Sequence, residues 1–261
     1  MNRIDQCFAL LASKKRKGFI PYICAGDPSL ARTMDLSLAL EKAGADLIEL
    51  GVPFSDPLAD GVVNQLAAQR ALRAGATIRG VLDCVRRIRA ASQIPIVLYT
   101  YSNPIFQFGF DKFHSEAEKA GVDGLLILDL PPEEDTSSGA ANLVHIRLVA
   151  PTTPPARVAM IAKNAKGFIY YVSREGVTGA QETMASSLTE RVAQLRQVSP
   201  VPIAVGFGIS TAEQAREAAR EADAVVVGSA IVSRIAEYGD SPELLERVTA
   251  LVQPMIDAVK R

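Results

Sequence analysis

The sequence contains no tryptophan and only two histidines. His114 and His145 stand far from each other and from every cysteine, so each is expected to be a structural or surface residue rather than a metal ligand. Cysteine is scarce as well. Cys7, Cys24 and Cys84 form no CxxC pair, which argues against disulfides or a zinc site and for reduced thiols. Excess charge is missing: 28 Lys and Arg against 29 Asp and Glu leave a net charge of −1, with no electrostatic footprint for nucleic acid or an anionic membrane. Lys14 to Lys17 are basic but precede no apolar signal segment, and no run reaches membrane-spanning length. A cytoplasmic protein is the expectation.

What the chain does have is aliphatic material, 48% of its 261 residues being hydrophobic, ample for a packed core. Short runs rich in β-branched and aliphatic residues recur at 19–24, 46–50, 95–99, 124–129, 144–149, 168–172, 202–205 and 224–227. Being apolar on both faces, they suit parallel strands covered by helices. Between them lie helical spacings, such as Ile78, Val81, Leu82, Val85 and Ile88, or Leu244, Val248, Leu251, Val252 and Met255. Ser210 with Glu213 reads as a capping box, and Ser241-Pro242 as a cap with proline at the first helical position. Ile4, Phe8 and Leu11 predict an extra N-terminal helix that covers one end of the fold. Eight strands alternating with helices predict an α/β protein, a (β/α)8 TIM barrel in a single domain over 1–261. An open doubly wound sheet is the alternative, but Ala25-Gly26-Asp27-Pro28 after the first strand is not a dinucleotide turn. The weakest unit is 133–142, EEDTSSGAAN, whose turn-forming residues predict at most a turn or two of helix.

The chemistry concentrates in 46–61, DLIELGVPFSDPLADG. Glu49 ends the second strand and Asp60 closes the loop after it. Pro53 and Pro57 stiffen the loop, and two carboxylates on one rigid loop are a way to place an acid and a base. A solvated acidic turn would have the same composition. At the other side of the predicted barrel, Gly206-Phe207-Gly208 follows strand seven and Gly228-Ser229 follows strand eight, opening a short helix at 230–235. Glycines there admit an anion close to backbone amides, at the usual phosphate position of this fold. The polar stretch 173–187 is long for a barrel connection and reads as a lid.

The stretch ELGVPFSDPLADG resembles the signature of the tryptophan synthase alpha family. Phe19-Ile20-Pro21-Tyr22, Tyr101-Ser102-Asn103-Pro104-Ile105, Tyr170-Tyr171-Val172-Ser173, Gly176-Val177-Thr178-Gly179-Ala180 and Gly206-Phe207-Gly208-Ile209 agree in the same order, over nearly the whole chain. Val62 and Asn64 depart from the pattern, where a proline and a large apolar residue are expected. The resemblance implies a lyase that splits indole-3-glycerol phosphate into indole and glyceraldehyde 3-phosphate by retro-aldol chemistry, with no cofactor or metal on this chain. It makes Glu49 the acid/base and Asp60 the partner of the indole N–H. It puts Tyr22, Tyr170, Thr178, Gly179, Phe207, Gly208, Gly228 and Ser229 around the substrate; Tyr99, Leu98 and Ile127 are further candidates to wall the indole. It implies a partner, the pyridoxal-phosphate beta subunit, in an alpha2-beta2 heterotetramer, met through Pro53, Phe54, Asp56, Asn103 and Pro104. Two other readings stay open: a chain that only binds and activates a beta subunit, and a barrel acting on another sugar phosphate.

Overall fold

The computed structural model describes residues 2–134, 142–172, 181–206 and 208–261, with only the backbone described over 181–187. Nine strand segments form one all-parallel sheet: β1 (Gly18–Cys24), β2 (Ile48–Gly51), β3 (Ile96–Thr100), β4 (Gly124–Ile127), β5 (Val144–His145), β6 (Arg147–Val149), β7 (Ile169–Val172), β8 (Ile203–Gly206) and β9 (Ala224–Val227). Their order is β5-β4-β3-β2-β1-β9-β8-β7-β6. The two end segments are consecutive in the chain, separated by Ile146 alone. β5 pairs with β4 and β6 with β7, so together they fill the fifth strand position and close the ring covalently. This is the (β/α)8 barrel that the strand pattern predicts, with its fifth strand broken in two. A cavity of about 250 Å³ lies along the break, between Leu125, Ile127 and Leu128 on one side and Ile146, Arg147 and Leu148 on the other.

The described helices are α1 (Arg3–Ser13), α2 (Leu30–Ala43), α3 (Val62–Arg73), α4 (Ile78–Ala91), α5 (Ser102–Phe108), α6 (Phe110–Ala120), α7 (Pro155–Lys163), α8 (Gln181–Val198), α9 (Ala212–Glu221), α10 (Ser229–Tyr238) and α11 (Leu244–Lys260). Two cores result. One lies between strands and outer helices, where α4 contributes Val81, Leu82, Val85 and Ile88 and α11 contributes Val248, Val252 and Met255. The other fills the barrel, with Ile20, Val97, Leu126, Phe168, Ala204 and Val226 from successive strands. Ile4, Phe8 and Leu11 of α1 join that inner cluster, so the N-terminal helix plugs the barrel floor as its spacing predicts. Burial of three such apolar side chains stabilises the fold by about 1.5–3 kcal/mol each.

Several local expectations shift. The capping box falls one residue later than Ser210 and Glu213: Thr211 Oγ1 accepts from Gln214 N, and Gln214 Oε1 accepts from Thr211 N. α11 starts at Leu244, while Ser241 Oγ accepts from Glu243 N in the turn before it. α3 and α5 add helical turns right after the acidic loop and after β3. The histidines, far apart in sequence, meet: Nε2 of His114 lies 3.0 Å from Nε2 of His145. The cysteines are free thiols, and the described residues hold no cluster able to ligate a metal. No described helix is long and apolar enough to cross a membrane. Most of 133–142 lies outside the described residues; Glu133 pairs with Arg157 there, and Asn142 donates to Glu118.

Candidate active site

Parallel register decides which side chains share the barrel mouth. Tyr22 on β1 is paired with Glu49 on β2, and Gly51 on β2 with Tyr99 on β3. Paired residues of a parallel sheet face the same side, so these groups form neighbouring layers of the interior. Tyr170 enters the same space from β7, in the inner cluster. Two glycines make that crowding possible. A Cβ on Gly51 would stand 2.4 Å from the Tyr22 hydroxyl, and one on Gly206 would stand 2.2 Å from the Tyr170 hydroxyl. Any other residue at either position would push a buried ring aside.

Glu49 is 1% exposed, and its Oε1 is buried without a hydrogen-bond partner. Burial first, and the charge of Asp60 second, push its carboxyl up from an ordinary 4.5 to about 8. It therefore holds its proton at neutral pH, with Asp60 the neighbouring acid that raises it further. Burial also raises the Tyr22, Tyr99 and Tyr170 hydroxyls well above their ordinary range, so they remain donors.

Asp60 is held from the neighbouring strand and the residue after it. Tyr99 donates to its Oδ1 at 2.9 Å, and Tyr101 donates to its Oδ2 at 2.8 Å. Tyr101 also accepts from the Ala59 amide at 3.0 Å, and Gln65 Nε2 donates to the Asp60 carbonyl at 2.8 Å. The loop is thus clamped at its closing end. Both clasping tyrosines point to Asp60 only once β3 is placed beside β2. The sequence signal for Tyr101 was its place in the family motif, and Tyr99 stood out only as an aromatic near the strand end.

The remaining expected site residues divide. Gly208 has φ +74° with open space beside it, and Gly228 caps α10 without a side-chain bond, followed by an exposed Ser229. The first turn of α10, whose leading amides have no partner within a helix, therefore begins at the end of β9, a position suited to an anion. Thr178, Gly179 and Phe207 lie outside the described residues. So does 173–180 of the expected lid, while 181–187 is the start of α8 and not loop. Leu98 and Ile127 belong to the outer cluster and cannot wall the site; Tyr99 and Leu128 pack on the inner one.

At the rim, Phe54 is half-buried with its ring 5.4 Å from Tyr101, Asp56 and Asn103 are exposed, and Pro104 is half-buried. Pro53 is buried, because the chain still runs along β3 there, with Val52 N bonded to Tyr99 O, so it offers no docking surface. Three apolar residues stand in solvent nearby: Leu58 at 92%, Val62 at 69% and Phe106 at 73% exposure.

Comparison with known proteins shows the family. The sequence model of the family described as "Tryptophan synthase alpha chain" matches residues 8–260. The tryptophan synthase alpha chain of Opitutus terrae is 51% identical over 266 residues, covering 100% of both chains. That of Geobacter sp. (strain M21) is 48% identical, covering 99% of this chain and 98% of its own. Among solved structures, the tryptophan synthase alpha chain of Legionella pneumophila superposes with a TM-score of 0.88 at 39% identity, covering 99% of this chain and 97% of that one. A Mycobacterium tuberculosis tryptophan synthase structure gives 0.89 at 35%, covering 100% and 99%. A protonated buried glutamate, an aspartate clasped by tyrosines and open glycines across the barrel mouth thus occur in a chain that belongs to the tryptophan synthase alpha chain family.

Proposed function

We propose that this chain cleaves indole-3-glycerol phosphate to indole and glyceraldehyde 3-phosphate in the cytoplasm, as the alpha subunit of a tryptophan synthase. The observation that carries the reading is Glu49: buried, raised to about 8, and with Oε1 lacking any partner. A carboxyl poised near neutral pH can both give and take a proton. It gives one to indole C3, which weakens the bond from C3 to the glycerol side chain. As that bond breaks, its electron pair returns to the indole ring, and the adjacent side-chain hydroxyl gives up its proton to become the aldehyde. Glu49 recovers a proton in that step, so the count balances. Asp60, fixed by Tyr99 and Tyr101, faces the indole N–H and stabilises positive charge that develops there. Gly208, Gly228 and Ser229 receive the phosphate, and Tyr22 and Tyr170 bound the ring. Thr178, Gly179 and Phe207 are assigned to the ligand by the family pattern alone.

The rim supports a beta-subunit partner. Leu58, Val62 and Phe106 with Phe54 are apolar surface beside the loop that carries Asp60, and such a patch marks an interaction site. Asp56, Asn103 and Pro104 lie on the same edge. A pyridoxal-phosphate subunit docked there, in an alpha2-beta2 assembly, receives the indole where it is released.

The test is to incubate the purified chain with indole-3-glycerol phosphate, with and without a beta subunit, and follow indole. Slow turnover alone and faster turnover in the complex are expected. Glu49→Gln should lower both by roughly 10²–10⁴-fold, the scale of general acid–base catalysis. A chain that activates a beta subunit yet forms no indole itself would leave only the binding role standing.

A further inference from the structure

Asn64 sits in the first turn of α3, four residues after Asp60. That turn also holds the aspartate. Gln65 holds the Asp60 carbonyl, and Asn64 Nδ2 points to Asp60 Oδ1 at 3.5 Å, a long contact beside the 2.9 Å bond from Tyr99. Val63, just before them, packs against the cluster of Tyr22 and Cys24, which fixes the turn against the barrel mouth.

The orientation of the Asn64 amide follows from this neighbour. Reversed, the amide would set its oxygen against a carboxylate oxygen, two acceptors face to face. With nitrogen toward Asp60, the amide oxygen points away from it, and there it is buried with no hydrogen-bond partner. Buried polar atoms in folded proteins nearly always have a partner, because an unmet one costs stability. Two side-chain acceptors at this mouth break the rule together, Glu49 Oε1 and Asn64 Oδ1. The first is explained by a proton-transfer role. The second calls for a donor that arrives with the ligand.

We propose that Asn64 is a further ligand-binding residue, whose side-chain oxygen accepts a hydrogen bond from the N–H group of the bound bicyclic ring while its nitrogen steadies Asp60. The oxygen lies on the same small amide as the nitrogen that reaches Asp60, so it is an acceptor at the edge of the site that the carboxylate faces. The ring is then recognised at its N–H edge by a carboxylate and a neutral amide side by side. An apolar side chain here would offer shape alone; the amide adds a requirement for a donor. This proposal rests on the reading of the site as one that binds indole.

The test uses the full chain and two probes of nearly the same shape, indole and benzothiophene, the second with sulfur in place of N–H. Affinities are measured by calorimetry for wild type, Asn64→Leu and Asn64→Ala, each first checked for an unchanged melting temperature and circular dichroism spectrum. Wild type should prefer indole. In both variants that preference should shrink by roughly threefold to tenfold, the worth of one neutral hydrogen bond, through weaker indole binding with benzothiophene bound as well or better. A purely structural role for Asn64 would weaken both probes alike and leave their ratio fixed. A ratio unchanged in both variants, in a wild type that binds indole and cleaves indole-3-glycerol phosphate, overturns this proposal alone. A wild type that neither binds indole nor turns over overturns it together with the functional reading.

Discussion

Replacing Glu49 with glutamine should make the protein more stable at high pH while removing its activity. In the folded chain the carboxyl holds its proton up to about pH 8, whereas in the unfolded chain it gives it up near 4.5. Between those values the folded state binds more protons, so stability falls as pH rises through that window and levels off above it. Each tenfold difference in proton affinity is worth about 1.4 kcal/mol. The burden of Glu49 therefore grows from about 1 kcal/mol at pH 5 to nearly 5 kcal/mol at pH 9. Glutamine has the same shape and nothing to ionise, so it escapes the burden. The assay is urea unfolding of wild type and Glu49→Gln at pH 5, 7 and 9. The variant's advantage should widen by about 4 kcal/mol from the lowest to the highest pH, other groups cancelling in the comparison. A difference that stays flat with pH would show that Glu49 is not held protonated, and the acid role built on it would lose its basis.

Gly206→Ala should destabilise by about 1–3 kcal/mol, because its methyl must displace the buried Tyr170 ring, and Tyr170→Phe in the same chain should recover part of that loss; thermal melts of the three variants decide. The new Cβ of Gly228→Val makes ordinary contact with the Tyr22 side chain, no nearer than 3.5 Å, so the fold should hold within about 1 kcal/mol while indole-3-glycerol phosphate binds far more weakly and indole nearly as before; equal weakening of both would remove the phosphate assignment. Tyr101→Phe strips Asp60 of one donor and frees the Ala59 amide, and turnover should drop by roughly tenfold or more with little change in phosphate affinity. Asp56→Ala, exposed at the rim, should leave the slow activity of the isolated chain intact and reduce activation by a beta subunit; full activation at unchanged partner affinity would mean that the rim carries no signal.

Much of the fold was legible because its units repeat. Strand positions fell within a few residues of their places, and α1 could be read as a plug from three apolar residues. The faces of the strands were not legible. Strands apolar on both sides carry no alternation, so Leu98 and Ile127 looked equal to Tyr99 and Leu128 until the register put the first pair outside and the second inside. Caps were ambiguous for a similar reason: Ser210-Thr211 followed by Glu213-Gln214 offers two frames of one motif, and the helix uses the second. The two acids stood out through a motif on one loop. The clasp on Asp60 did not, since Tyr99 and Tyr101 lie 39 and 41 residues away and only closure of the barrel brings them there. The loop is also already fixed by these bonds without a partner, so docking is not needed to place Asp60.

The broken fifth strand has a mechanical meaning. In an unbroken barrel every strand is bonded on both edges, and the girth cannot change without breaking a whole ladder. Here β5 grips only β4 and β6 grips only β7 among the described residues, with a cavity beside the step between them. The ladder is split there while the chain itself runs across the step, so the fifth wall is the least bonded of the ring. Glu49 sits on β2, which is laddered to β1 on one edge and β3 on the other, away from that seam.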